Sequence, residues 1–225
     1  MKLPTIKRAD FSDWQTYYWT YQYILAEAYY IPRLKSWNVA IDKKKILDIG
    51  CGDGGFAAAF GNAGGFCTGV EINKFDWKPS ENVNYIVQDI MHIEAMKNIG
   101  NNYDLIILRD VIEHIPIPKK KTFLQSAMKL GGEDTNFLIT FPPFYSPFGL
   151  HQQTLLRSAA KKIPYLSLLP SNVLLPLLKI LNETNQAINN IKEIRASRMT
   201  IKAFNQLIID LGLTIMEEEY FFIRP

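Results

Sequence analysis

Residues 45–55 read KILDIGCGDGG, an apolar run with an acid near its end that passes into a glycine-rich turn. The run at 45–49 has the length and composition of a buried strand, and the glycines after it open a helix. Glycine permits positive φ and close approach of the backbone to a ligand, while the free amides at a helix start favour negative charge. The stretch therefore predicts a strand, turn and helix that bind a nucleotide-like ligand.

Two ligand classes fit these glycines, and a nearby acid separates them. Gly50, Gly52 and Gly55 match G-x-G-x-x-G, and Glu71 stands roughly 20 residues on, where a dinucleotide enzyme places its ribose acid. Asp48 precedes the first glycine, where its carboxylate would repel a pyrophosphate. S-adenosylmethionine (SAM) carries no phosphate, and its amino group and sulfonium are cationic. Asp48 therefore favours SAM over a nicotinamide or flavin.

Apolar runs alternate with helical segments over residues 45–141, which predicts a doubly wound, mostly parallel α/β sheet. Strands are predicted at 45–49, 66–71, 83–88, 103–108 and 135–141, and helices at 54–62, 92–98 and 119–130. Such sheets bind ligands beyond the carboxyl ends of their strands. The residues expected at that edge are Asp48, Glu71, Asp89, Arg109 and Phe141.

The segments outside this alternation predict helices. Residues 12–40 are rich in tryptophan and tyrosine and predict one or two helices, broken near Pro32, that pack on the sheet or cover the cofactor. A leucine-rich segment predicts a helical insertion, and Thr200 and Gly212 bound an amphipathic helix before a sixth strand at 213–222. The predicted parts are an N-terminal helical cap (1–42), a SAM-binding core (43–143), a helical insertion or acceptor lid (144–198), and a helix and strand that complete the core (199–225).

Composition is that of a soluble globular protein, with 225 residues, 48% of them hydrophobic and 21% charged. The net charge of +3 is too small to indicate a nucleic-acid partner. The lysine runs at 43–45 and 119–121 are interpreted as solvated flanks. Cys51 and Cys67 suggest neither a disulfide nor a metal site. With no apolar signal region and no apolar run of about 18 residues, a cytoplasmic location is expected.

The motifs resemble those of class I SAM-dependent methyltransferases, particularly the small-molecule group that includes ubiquinone-biosynthesis enzymes. The likeness covers about 40–141 and 198–223. It implies a Rossmann-like fold of strand order 3-2-1-4-5-(7)-6, with N-terminal helices and a helical lid. In that fold a terminal β-hairpin inserts a seventh strand. Because Pro225 follows the predicted sixth strand, a degenerate hairpin, compensation by the N-terminal segment and truncation are all left open.

The resemblance also implies how SAM is held, with S-adenosylhomocysteine (SAH) as the product. The turn at 48–54 matches the motif whose amides hold the methionine portion, and Glu71 matches the acid that grips both ribose hydroxyls. Asp89 and Ile90 match the pair beside the adenine. Residues 108–115 resemble the xxVxEHI/L segment of small-molecule O-methyltransferases. The expected cofactor-binding residues are Asp48, Gly50, Cys51, Gly52, Gly54, Glu71, Ile72, Asp89, Ile90, Arg109 and Asp110.

Methyl transfer needs an aimed nucleophile and exclusion of water, and a hydroxyl acceptor benefits from a general base. His114 and His151 follow the fourth and fifth strands, whereas His92 follows the third. We expect His114 to be the base, with His151 and Glu113 as further catalytic candidates; an ordering role in the loop is the alternative. With Asp110 these residues also resemble a D/E-x-x-E-H…H arrangement that binds a divalent metal in some relatives, although a metal is not favoured.

The sequence thus predicts SAM-dependent O-methylation of a small-molecule or glycan/lipid-linked acceptor. A NAD(P)-binding Rossmann oxidoreductase and a non-catalytic SAM-binding scaffold are the alternatives. The insertion is expected to build the acceptor pocket. A second interpretation is peripheral membrane contact through 161–181, because apolar residues 168–181 are flanked by Lys161, Lys162 and Lys179.

Overall fold

The computed structural model describes residues 6–92 and 94–222 of the chain. These residues form two compact units. The first comprises residues up to Arg109 together with Thr122–Ile139, and the second comprises Asp110–Lys121 and the residues from Thr140 onward. The four-part division by sequence stays a prediction. Within the described ranges, no helix is both long enough and apolar enough to cross a membrane.

Five strands form one sheet of order β3-β2-β1-β4-β5. Their bounds are β1 Lys45–Ile49, β2 Phe66–Glu71, β3 Val83–Val87, β4 Tyr103–Arg109 and β5 Gly131–Thr140. Strand β1 pairs in parallel with both β2 and β4, so that Asp48 lies opposite Gly69 on one side and Ile107 on the other. The doubly wound α/β sheet and the order 3-2-1-4-5 are confirmed.

The start of β5 differs from the prediction, because the strand begins at Gly131 instead of residue 135. Helix α5 (Lys120–Leu130) ends where the sequence predicts, and the two glycines that follow it belong to the strand. Thr135 Oγ1 accepts the Gly132 N–H at 2.7 Å and donates to the Tyr103 carbonyl at 2.6 Å. The Thr135 side chain thereby ties the glycines to the neighbouring strand.

The aromatic N-terminal segment packs on the core of the first unit. Helix α1 (Trp14–Leu25) runs through a π-helical turn, Ala26–Tyr30, into α2 (Ile31–Ser36), so the break predicted near Pro32 is wrong. Pro32 lies in the first turn of α2, where its missing N–H costs no hydrogen bond within that helix. The wider π-helical turn before it lets the chain continue from α1. Tyr23, Tyr30 and Trp37 pack against the buried cluster that contains Ile46 and Leu105, which supports the packing interpretation.

Helix α3 (Gly55–Asn62) packs directly beneath α1. A Cβ added at Gly55 would lie 2.2 Å from the Trp19 carbonyl oxygen, so the two backbones could not approach with any larger residue there. The first unit also contains α4 (Ala95–Ile99).

The second unit is mainly helical, as the leucine-rich sequence predicts. It contains α6 (Gln152–Leu155), α7 (Ser171–Ile180), α8 (Asn185–Ser197) and α9 (Ile201–Asp210), with 3-10 turns at Ala159–Lys162 and Leu166–Leu168. Leu150, Leu174, Leu178, Ile188 and Ile191 belong to its own buried cluster. The predicted caps of α9 are confirmed: Thr200 Oγ1 accepts the Ala203 N–H at 3.1 Å, and Gly212 follows with φ 67°.

The sixth strand predicted at 213–222 is wrong for these residues, which have no strand pairing. Their side chains are largely exposed, with Met216 at 80% and Phe222 at 75%. A strand is stabilised by backbone pairing with its neighbours, and 213–222 has no such pairing with the described residues. Residues 223–225 lie outside the described ranges.

Candidate functional site

The glycine turn after β1 has the backbone conformation that its sequence predicts. Gly50, Gly52 and Gly54 have φ values of 77°, 51° and 83°, in the left-handed region that other residues avoid. A Cβ added at Gly54 would also lie 2.6 Å from the Tyr85 ring. The Gly50 and Cys51 amides donate to the Val70 carbonyl at 2.8 and 3.2 Å, so the turn is bound to the end of β2.

The predicted ribose acid, Glu71, lies against this turn. Its Oε2 accepts the Gly52 N–H at 3.2 Å and its Oε1 accepts the Ile72 N–H at 2.8 Å. A carboxylate has about four acceptor positions, so these two bonds leave capacity for hydroxyl donors. The carboxylate is thereby fixed beside the glycines, while the Ile72 side chain is 65% exposed.

Asp48 is buried near the end of β1, at 2% exposure. Its Oδ2 has no hydrogen-bond partner among the described residues. Burial raises the pKa of Asp48 to about 7; the positive charge of Arg109 opposes this shift and the negative charge of Glu71 adds to it. Because a buried carboxylate is costly without a partner, a cationic ligand would stabilise its ionised form. Asp48 is therefore suited to a cationic group of a ligand.

The other predicted residues of the first unit lie at or just beyond the ends of their strands. Asp89 follows β3, with Oδ1 accepting the Met91 N–H at 2.8 Å and Oδ2 lying 3.6 Å from His92 Nε2. Ile90 beside it is 5% exposed. Arg109 ends β4, and its guanidinium carbon lies 5.1 Å from the centroid of the Phe56 ring.

Two further predicted residues, Cys51 and Phe141, are held by their protein surroundings. Burial raises the pKa of the Cys51 thiol, and the negative charge of Asp48 adds to the effect, so Cys51 stays a protonated thiol within the turn. Phe141, predicted at the ligand edge, belongs to the second unit and packs on Phe204 with ring centroids 4.9 Å apart.

Sequence reasoning missed two aromatic residues at the glycine turn. Trp77 Nε1 donates to the Gly52 carbonyl at 2.8 Å, and the Tyr85 hydroxyl donates to the Gly54 carbonyl at 2.9 Å. Their rings are stacked with centroids 5.1 Å apart and an interplanar angle of 7°. Trp77 lies in an irregular loop, where no periodicity could indicate this contact.

The second unit begins with Asp110, the residue after β4. Asp110 has a φ of 56°, which aspartate tolerates better than most residues. Its N–H donates to the Thr140 carbonyl at 2.9 Å, and its carboxylate accepts the Thr140 hydroxyl at 3.2 Å. These bonds fix the start of the loop that carries Glu113 and His114.

The three predicted catalytic residues come together in this unit. Glu113, His114 and His151 each offer a ligand atom, and these atoms lie within 4.8 Å of one another. The two imidazole centroids are 5.5 Å apart, and His114 Nε2 lies 3.8 Å from Glu113 Oε1. Glu113 is buried, whereas 53% of the His114 side chain is exposed. The imidazole thus faces solvent on one side and a carboxylate on the other.

Electrostatics favour the neutral form of His114. Partial burial lowers its pKa below 6.5; the positive charge of Lys120 acts in the same direction and the negative charge of Asp110 opposes them. At pH 7 the imidazole is therefore mainly neutral and can accept a proton.

The prediction that the lysine run at 119–121 is solvated is wrong for Lys120, which is only 5% exposed. Its ammonium group donates to the Ile112 carbonyl. Burial lowers the pKa of Lys120 to about 8, opposed by the negative charge of Glu113. Lys119 and Lys121 are exposed, as predicted. The sequence gives no sign of which of three consecutive lysines faces inward, since that depends on how α5 is rotated.

The cluster contains donors that suit a divalent cation, namely one carboxylate and two imidazoles. Asp110, the remaining residue of the predicted metal arrangement, is not part of this group. The metal stays an open alternative that a chelator can test.

The parallel sheet of order 3-2-1-4-5, the acid before the glycine turn and the acid that ends β2 define a class I SAM-dependent methyltransferase. The cofactor of this class is SAM and the product formed from it is SAH. A family model described as a methyltransferase domain matches residues 22–217. The chain belongs to this methyltransferase family.

Curated relatives match a smaller part of the chain. A ubiquinone biosynthesis O-methyltransferase of Coxiella burnetii is 29% identical over 91 residues, which cover 37% of this chain and 38% of the relative. The enzyme of the same name from Escherichia fergusonii is 31% identical over 84 residues, covering 34% of each. The chain thus spans little more than a third of the length of these relatives.

Solved structures share the fold. Magnesium protoporphyrin IX methyltransferase from Synechocystis PCC 6803 with bound SAH aligns with a TM-score of 0.50 and 14% identity, over 93% of this chain and 78% of the other. The plantazolicin methyltransferase BpumL, in complex with a triazolic desmethylPZN analog and SAH, aligns with a TM-score of 0.50 and 14% identity, over 89% and 65%.

Proposed function

We propose that this chain transfers a methyl group from SAM to a hydroxyl of a small-molecule or glycan/lipid-linked acceptor. The observation that carries the proposal is the buried Asp48 carboxylate beside a positive-φ glycine turn, whose Oδ2 has no hydrogen-bond partner within residues 6–92 and 94–222. A cationic donor would stabilise this carboxylate and a diphosphate would not. Membership of the methyltransferase family supports the same choice over a nicotinamide cofactor.

In this proposal the first unit holds SAM. Asp48 attracts its amino group, the turn at 50–54 offers backbone groups to the methionine portion, and Glu71 accepts from the ribose hydroxyls. Asp89 and Ile90 bind the adenine through its amine and its ring face. Arg109, at the end of β4, completes the predicted set within this unit, whereas Asp110, also predicted to bind the cofactor, belongs to the second unit. SAM supplies a methyl group on a sulfonium, which is already a good leaving group.

A candidate general base, His114, supports a hydroxyl oxygen as the methylated atom. Its lowered pKa leaves the imidazole neutral at pH 7, and Glu113 Oε1 at 3.8 Å can stabilise the imidazolium after proton uptake. His151, whose ring lies beside it, can hold or pass on that proton. The ubiquinone biosynthesis O-methyltransferases that match part of the chain support an oxygen acceptor.

Calorimetry separates the cofactor classes. We expect SAM and SAH to bind and NADH not to bind; binding of NADH without SAH would overturn the proposal. Product formation is then measured as SAH released with a panel of phenols, hydroxylated lipids and glycans. SAM binding with no methylated product from any panel member would favour a non-catalytic scaffold. Unchanged turnover after exhaustive EDTA treatment would exclude a metal requirement.

A membrane surface is a second candidate partner. Leu168, Val173 and Ile180 are 62%, 48% and 76% exposed, and Lys161 and Lys162 lie in the preceding 3-10 turn. Apolar side chains with flanking lysines suit the surface of anionic vesicles. In a flotation assay the protein should rise with phosphatidylglycerol vesicles. If the protein stays out of the vesicle fraction, the proposed membrane contact is contradicted.

A further inference from the structure

The second unit contains a cavity of about 370 Å³ apart from the cluster of Glu113, His114 and His151. It is lined by Phe144, Tyr145, Ser171, Arg195, Ala196 and Arg198. Two of these residues are arginines and none is acidic. Helix α7 begins at Ser171, and its first turn has no side-chain cap, so its partial positive charge adds to that of the arginines.

The charge of Arg195 has no acidic partner among the residues that line the cavity. Its Nη2 donates to the Leu169 carbonyl at 2.9 Å, and its guanidinium carbon lies 5.6 Å from the centroid of the Phe144 ring. Its Nη1 is buried and has no hydrogen-bond partner among the described residues. Burial lowers the pKa of Arg195, and the positive charge of Arg198 acts in the same direction. An anion would offset both effects.

Arg198 is held near the same cavity by its own bond to Arg195. Its Nη1 donates to the Arg195 carbonyl at 3.0 Å, which leaves the other donors of an exposed guanidinium available. The planar fork of arginine matches carboxylate and phosphate oxygens in pairs. The Phe144 and Tyr145 rings supply an apolar wall beside these two charges.

We infer that this cavity binds an anionic group of the acceptor, a carboxylate or a phosphate carried on an aromatic or apolar body. The inference rests on the proposed function and names its substrate class. Phe144 and Arg198 also line a second cavity, of about 10 Å³, together with Glu113, His114 and His151. An acceptor held through its anion thus has its adjacent atoms near the candidate base, so the acceptor is a hydroxylated acid or phosphate ester.

Matched pairs of small probes test this inference on the full chain with saturating SAH. Benzoate is compared with benzyl alcohol, and phenyl phosphate with phenol, by NMR titration of ¹⁵N-labelled protein. The variants are Arg195→Gln and Arg198→Gln, and the control is Lys192→Gln, which removes an exposed charge from the same helix. Arg198 is exposed, so its variant decides the outcome if Arg195→Gln fails to fold.

We expect at least one anionic probe to bind about tenfold more tightly than its neutral partner. Each arginine variant should lower the affinity for that anion by about tenfold, and Lys192→Gln should leave it unchanged. Tight binding of benzoate alone assigns a carboxylate, and of phenyl phosphate alone a phosphate. Equal binding of anions and neutral partners, or arginine variants that behave like the control, would overturn the inference. Calorimetry with SAM on the same protein preparations distinguishes the two proposals. If the wild type does not bind SAM, the proposed function is wrong. If it binds SAM but neither anion, only the inference that the cavity binds an anion is wrong.

Discussion

The two compact units present opposite charges at their candidate ligand sites. In the first unit Asp48 and Glu71 place carboxylates around a glycine turn, which suits a cationic donor. In the second unit Arg195 and Arg198 line a cavity without an acid, which suits an anionic ligand. In the two proposals each unit therefore selects its ligand by charge, and the two ligand groups have opposite signs.

The units also differ in what holds their functional residues. Asp48 is fixed by strand pairing on both sides of β1, a repeating set of backbone bonds. The second unit relies on individual side chains: Gln152 Nε2 donates to the Pro147 and Ile163 carbonyls at 3.2 and 3.0 Å, and Glu183 accepts the Arg157 and Ser158 amides. Such bonds follow no period, so the second unit is the harder one to predict.

The largest expected effect concerns the candidate base. Changing His114→Gln should lower turnover about 100- to 1,000-fold, because the variant cannot take up the acceptor proton. SAM affinity should be unchanged, since the residues proposed to hold SAM are retained. SAH release and calorimetry measure the two quantities, with Lys119→Gln as an exposed control. Full turnover in His114→Gln would assign the histidine a structural role and weaken the contrast between the units.

Core substitutions test whether the units are separable. Leu174 is fully buried in the cluster of the second unit, so Leu174→Ala should lower the free energy of unfolding by about 3 kcal/mol. Val173→Ala, at a half-exposed neighbour, should change it by less than about 0.5 kcal/mol. Urea unfolding measures both. At urea concentrations too low to unfold it, Leu174→Ala should bind SAM with wild-type affinity. Loss of SAM binding at those concentrations would show that the two units are not separable.

Removing the buried carboxylate tests the charge of the first unit. Asp48→Asn should weaken SAM binding by about 30-fold, or ~2 kcal/mol, because a charge-assisted contact becomes a neutral one. The control is Asp134→Asn, an exposed acid on β5. Calorimetry with SAM is the measurement, and wild-type affinity in Asp48→Asn would remove the observation on which the proposed function rests.

The smallest effect is a pH dependence with opposite signs for binding and stability. Below its pKa of about 7 Asp48 is neutral, so SAM affinity should be about tenfold weaker at pH 6 than at pH 8. Because this pKa is raised above the unfolded value, the contribution of Asp48 to stability is present at low pH and is lost as pH rises through 7. Calorimetry and thermal unfolding from pH 5 to 8 measure both trends. Persistence of either trend in Asp48→Asn would show that another group titrates.

The regular part of the molecule was predicted well from the sequence. Strands β1 and β2 have the predicted bounds, and the acids expected around the glycine turn lie there. Their positions follow from local apolar runs and glycine conformation. The break at Pro32, the sixth strand and the solvated Lys120 were wrong. Helix α2 continues past Pro32 because the proline lies in its first turn, after the π-helical turn. The other two errors concern pairing and burial, which depend on the packing of other segments.

The sequence by itself determined the class of fold and the preference for a cationic donor, because one strand, one acid and three glycines are contiguous. Only the tertiary structure decided which side chains surround them and which charges lack a counter-ion. Trp77 and Tyr85 reach the turn from separate segments, and Arg195 lies beside Phe144 across a gap of many residues. Burial and pairing are properties of that three-dimensional surrounding, and no local pattern of residues encodes them.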